Sequence, residues 1–209
     1  MLAVCIKLID SHAFFAFAGR RTGTLRESSL APRRGRRAQS RTSVTEQPTD
    51  NPGIVAPPPL IALATLVLGL ALEWLFPLHL LAAHTGRLAR ICAGAALVVA
   101  GIALAVAAVR RFRRAGTNVE PWKPALVLAT DGPYGWVRNP MYVGVMLTLA
   151  GFGIGLAADW VVALLAPMAL VLHVGVVKRE ERYLAAKFGA PYRAYLGRVP
   201  RYGIRVGRR

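Results

Sequence analysis

Residues 139–177 read NPMYVGVMLTLAGFGIGLAADWVVALLAPMALVLHVGVV and contain no Lys or Arg. Two polar clusters flank them, DGPYGWVR at 131–138 and KREERY at 178–183. The apolar runs Pro140 to Ala157 and Trp160 to Val177 are each about 18 residues, and at about 1.5 Å per residue each nearly crosses a hydrocarbon core of about 30 Å. Out and back returns the chain to the face it left, so Arg138 becomes a neighbour of Glu180 and Glu181. Gly155, Ala157, Ala158 and Asp159 supply the turn, where the lone carboxylate is expected in headgroups or water.

Lys and Arg are also absent from Thr42 to Gly86 and from Ile91 to Val109. This segregation, with 55% hydrophobic and 18% charged residues, excludes an ordinary soluble fold. It predicts an all-α integral membrane protein with about four transmembrane helices, near 60–76, 88–109, 140–157 and 160–177, and a cytosolic C-terminal helical segment. Pro57-Pro58-Pro59 and Pro77 bracket the first span as breakers. Gly94, Gly101 and Ala105 in the second span are packing positions, because small residues let helices approach closely in lipid. Gly151-Phe-Gly153-Ile-Gly155 has the same reading, since a dinucleotide fingerprint needs a strand before it.

The formal net charge of +17 would point to nucleic acid in a soluble protein. Here the basic residues cluster at 20–41, at Arg110, Arg111, Arg113 and Arg114, and at 178–209, whereas the opposite side receives mainly Arg87 and Arg90. No nucleic-acid partner is expected; the positive-inside rule puts both termini in the cytoplasm of a multi-pass protein, with a bacterial inner membrane as the expected site. Residues 1–53 read as a disordered basic tail, an extension without a role in the fold or a targeting segment, and residues 54–209 as the membrane domain. Cys5 and Cys92 make no framework, and His79 and His84 lack carboxylate or thiol partners, so no metal site is expected.

Chemistry concentrates where the hairpin ends meet. Glycines and Pro133 set a tight turn around Tyr134, Pro140 suits the first turn of a helix, and Arg138 beside it can hold a carboxylate. Adjacent helical residues point about 100° apart, so one of Glu180 and Glu181 can face inward while the other bonds a basic neighbour among Lys178, Arg179 and Arg182. His173, seven residues before Glu180, falls on nearly the same helix face and is an intramembrane candidate. A small transporter or membrane assembly subunit built on His173, Glu180 and Arg138 is the alternative to an enzyme.

The two clusters and the hairpin resemble the integral-membrane methyltransferases of the isoprenylcysteine carboxyl methyltransferase and phospholipid methyltransferase families. The resemblance runs from Gly116 to Tyr202 and rests on Gly132-Pro-Tyr134, Arg138-Asn-Pro-Met-Tyr-Val-Gly144, Glu180-Glu181, Leu184, Phe188-Gly189, Tyr192, Tyr195 and Arg198-Val-Pro200. It implies methyl transfer from S-adenosylmethionine to a lipid or lipidated acceptor at the cytosolic face, with carboxyl O-methylation as the expected form and N- or S-methylation as alternatives. Arg138 and Glu181 are then the expected catalytic pair, and Tyr134, Asn139, Tyr142, His173, Glu180 and Glu181 the expected cofactor contacts. The prenylcysteine enzymes usually carry His where this chain has Asn139, so the implied acceptor is less specific than the implied chemistry.

Overall fold

A computed structural model describes residues 51–203; the expectation for residues 1–53 falls, except for its last three residues, outside the described part. Every regular element there is helical. Three helical runs are long and apolar enough to cross a membrane: α1 (Pro58–Leu75), α3 (Arg87–Ala115) and a continuous rod from Asp159 to Phe188. The remaining expected crossing is the shorter apolar helix α4 (Pro140–Leu156). A five-residue helix α2 (Leu80–His84) links α1 to α3.

Pro58 and Pro59 occupy the first turn of α1, where a missing N–H leaves no extra orphan. The 159–188 rod comprises α5 (Asp159–Ala163), α6 (Leu165–Leu172), a π-helical turn His173–Val177, and α7 (Lys178–Phe188). Pro167 explains the interruption at Leu164: its ring nitrogen cannot donate to the Ala163 carbonyl four residues back, and the ring crowds that oxygen. After Gly189, at φ +59°, the chain reverses into α8 (Ala190–Arg198).

α3 and α4 run antiparallel with their backbones in direct contact. A methyl group added to Gly101 would lie 2.5 Å from the Gly144 carbonyl oxygen, and one added to Gly94 would lie 2.6 Å from that of Gly151. Gly144 and Gly151 meet the same backbone from the other side. Thr148 fits this seam because its hydroxyl donates to the Gly144 carbonyl at 2.8 Å, leaving no polar group unpaired. Both glycine groups therefore act as packing surfaces.

Asp159 departs from the solvated position expected of it. It is buried, and its two carboxylate oxygens accept the backbone N–H groups of Leu80 and Leu81 at 2.8 and 3.0 Å. These are two of the donors a helix start leaves unsatisfied, and α2 supplies them to the hairpin turn. Glu73 accepts the Trp160 N–H at 3.2 Å beside it, and the Trp160 indole donates to the Phe76 carbonyl at 2.7 Å. The distal turn is thus pinned to the end of α1.

Gly101→Val should separate α3 from α4 at an overpacking cost of about 1–3 kcal/mol. Thermal melting of the detergent-solubilised protein should show a clear fall for this variant, whereas Gly197→Ala, where an added methyl meets open space, should melt as the parent does. Equal melting of the two would refute the seam.

Candidate active site

The end of α3 begins the site. Gly116, at φ +70°, closes that helix while Thr117 N–H returns to the Phe112 carbonyl, so the chain turns sharply over the helix end. The Thr117 hydroxyl then accepts the N–H groups of Leu126 and Val127 at 3.0 and 3.4 Å, and Asn118 donates to the Pro124 carbonyl at 2.8 Å. The loop from Thr117 to Ala129 is folded down as one wall of a cavity of about 110 Å³. The Tyr183 hydroxyl, on α7, takes the Ala125 N–H at 3.1 Å and ties that wall to the rod.

A 3-10 turn, Gly132–Gly135, supplies the next wall. Tyr134 is buried and stacks on Phe112 with ring centroids 4.6 Å apart. Its carbonyl accepts the Tyr195 hydroxyl from α8 at 2.7 Å, while its own hydroxyl is buried without a partner among the described residues. Burial, with the Glu180 charge behind it, pushes the Tyr134 phenol far above its ordinary value. It is therefore a neutral O–H donor throughout the physiological range.

Pro140 opens α4 in its first turn and is buried, which places Arg138 and Asn139 at the mouth of that helix. Glu180 and Glu181 arrive from α7 on diverging directions, as adjacent helical residues must. Glu180 accepts the Tyr142 hydroxyl at 2.7 Å. Glu181 accepts two parallel bonds from Arg201, Nε at 2.9 Å and Nη2 at 2.6 Å, and lies 3.4 Å from Arg138 Nη2. The expected partners among Lys178, Arg179 and Arg182 do not serve: Arg179 donates to the Gly53 carbonyl and Arg182 to that of Lys178.

The segment after α8 holds this arrangement in place. Arg138 N–H donates to the Pro200 carbonyl at 2.9 Å and Asn139 Nδ2 to the Arg201 carbonyl at 3.2 Å. α8 packs through buried Tyr192, Tyr195 and Val199 against Leu184 and Phe188 of α7. The paired bonds that Arg201 donates to the Glu181 carboxylate hold the pKa of its guanidinium above the ordinary value.

Six of the seven expected site residues, Tyr134, Arg138, Asn139, Tyr142, Glu180 and Glu181, line one cavity. His173 does not join them; its Nδ1 lies 3.0 Å from the Tyr202 hydroxyl instead. The physical reason is the π-helical turn at 173–177, which inserts an extra residue and breaks the seven-residue register between His173 and Glu180. Arg201 had no distinguishing mark in the sequence, lying in a basic run with no spacing rule that ties it to Glu181. The Thr117–Ala129 wall was equally silent, because its contacts are to backbone.

Tyr142 has a second environment. It also lines an apolar cleft of about 340 Å³ between α4 and the rod, walled by Val143, Met146, Leu147, Ala150, Leu165, Ala169 and Leu172. A cavity that holds charged side chains and a cleft that holds none therefore share one aromatic side chain.

A stretch of 79 residues is 33% identical to the cobalt-zinc-cadmium resistance protein CzcN of Cupriavidus metallidurans, covering 38% of this chain and 36% of that protein. The chain thus matches about a third of that relative's length. No solved structure matches. The profile of the phospholipid methyltransferase family matches residues 89–191, from the start of α3 through Glu180 and Glu181 into α8. Over that stretch, just under half of its length, the chain is similar to the phospholipid methyltransferase family.

Proposed function

We propose that this protein transfers a methyl group from S-adenosylmethionine to a lipid or lipidated acceptor at the cytosolic membrane face. The observation that carries the proposal is Tyr142, which borders both the cavity holding Arg138, Glu180 and Glu181 and the apolar cleft. A water-soluble donor on one side and a lipid-borne acceptor on the other would meet across it. The family similarity favours this reading over a transporter.

The cavity residues suit the donor. S-adenosylmethionine carries a carboxylate, an ammonium and a cationic sulfur, and supplies an electrophilic methyl when bound. Arg138 Nε and the Tyr134 hydroxyl are buried and unpartnered among the described residues, and both are donors suited to an anion or polar edge. Glu180 supplies the opposite charge for an ammonium. Glu181, with both oxygens on arginines, is already engaged and does not serve as a second ammonium ligand. The Thr117–Ala129 wall excludes water, which a displacement at carbon needs more than it needs an acid and base set.

The cleft suits the acceptor. Its lining is almost wholly apolar and lies between α4 and a rod long and apolar enough to cross a membrane, a place where a chain could enter from the lipid side. On this reading α4 is the fourth crossing, its 17 residues reaching about 25 Å. Arg110, Arg113 and Arg114 at the end of α3 orient the cavity to the cytoplasm. The acceptor atom is a carboxylate oxygen, by analogy with the prenylcysteine relatives, or an amine or thiol.

Three measurements test the proposal. Membranes containing the protein, incubated with methyl-labelled S-adenosylmethionine, should yield label in the lipid extract, and mass spectrometry then names the acceptor; no labelled lipid or lipidated product would sink it. Arg138→Ala should weaken donor binding by at least about thirtyfold, the cost of about 2 kcal/mol expected when one side of a buried charged contact is deleted. Ala169→Trp should fill the cleft and displace about three methylenes, raising KM for a long-chain acceptor about fiftyfold while donor affinity stays at the parent value.

A further inference from the structure

We propose that Arg201 is a positioning residue of the donor site: by engaging Glu181 through two parallel bonds, it keeps Arg138 available to a carboxylate entering the cavity. The inference rests on the donor reading above and goes beyond it, because Arg201 does not line the cavity.

The geometry distinguishes the two arginines. Arg201 meets both oxygens of Glu181 at 2.6 and 2.9 Å, in the fork that a guanidinium and a carboxylate form best. Arg138 reaches one of the same oxygens at 3.4 Å only, and its Nε is buried without a partner among the described residues. One negative charge thus faces two positive charges, and the surplus lies with the arginine that lines the cavity. The other nearby carboxylate, Glu180, is engaged by the Tyr142 hydroxyl. Exposure agrees: the Arg138 side chain is 11% exposed and that of Arg201 34%. A surplus charge at so buried a position strongly favours an anionic ligand.

Without the Arg201 side chain, Glu181 has one guanidinium left. It would close on Arg138, and an entering carboxylate would have to break a buried ion pair first. The backbone around Arg201 does not depend on its side chain, since Pro200 and Arg201 bond Arg138 and Asn139 through their carbonyls. Loss of the guanidinium and loss of the strap are therefore separable.

The experiment measures binding of S-adenosylmethionine and of its decarboxylated analogue to the full-length protein in detergent by calorimetry. Arg201→Ala should weaken S-adenosylmethionine by about tenfold or more, as expected for a displaced charge contact, and leave the decarboxylated analogue within about threefold. Adding Glu181→Gln to Arg201→Ala should restore most of the lost affinity, because a neutral amide no longer competes for Arg138. Arg201→Lys, which keeps the charge and loses the fork, should fall between parent and Arg201→Ala, and it carries the test if the alanine variant does not fold. Parent-like S-adenosylmethionine binding in Arg201→Ala would overturn the proposal. So would an equal loss for both ligands, or a loss that Glu181→Gln does not relieve, since either marks a merely structural strap. Parent-like binding in Arg138→Ala would instead overturn the donor reading itself.

Discussion

The contact on which the rest depends is the backbone-to-backbone seam of α3 and α4. In a hydrocarbon environment there is no water to expel between helices, so association relies on close packing and on satisfied polar groups. Gly94 and Gly101 on one side, and Gly144 and Gly151 on the other, let the two helices touch where any side chain would hold them apart. The seam sets the height of α4 against α3. That height brings Phe112, near the end of α3, beneath Tyr134, and puts Arg138 at the mouth of α4 opposite the rod that delivers Glu181. A wider seam would separate the arginine from its carboxylate.

Much of the fold was legible because charge placement and length obey coarse rules. Runs free of Lys and Arg marked the apolar segments, and glycine spacing marked the faces that pack. The meeting of Arg138 with Glu180 and Glu181 followed from the return of a hairpin to its starting face. Finer features depended on contacts that periodicity does not encode. Asp159 looked like a residue for the headgroup region because nothing near it in sequence needs a carboxylate; its partners are the Leu80 and Leu81 amides. His173 looked aligned with Glu180 because seven residues make nearly two α-helical turns, and the π-helical turn removed that premise. Arg201 could not be told from its basic neighbours until the strap placed it against Glu181.

The two ends of the hairpin solve similar electrostatic problems with different partners. At the distal turn a buried carboxylate is neutralised by the amides of a helix start, which are fixed dipoles. At the proximal end a buried carboxylate meets two full charges on flexible side chains. The first arrangement is closed and serves position. The second leaves the Arg138 Nε and, beside it in the same cavity, the Tyr134 hydroxyl unpaired among the described residues.

The strap from Val199 to Tyr202 follows every apolar segment in the chain order. The hairpin therefore needs nothing from residues 199–202 to span or to pack along its glycines. Without the strap, Glu181 has no fork to hold it and the mouth of α4 has no carbonyls against it. Packing of the apolar helices and completion of the cavity draw on different parts of the chain. A chain halted after α7 would be embedded, packed along its glycines, and chemically unfinished.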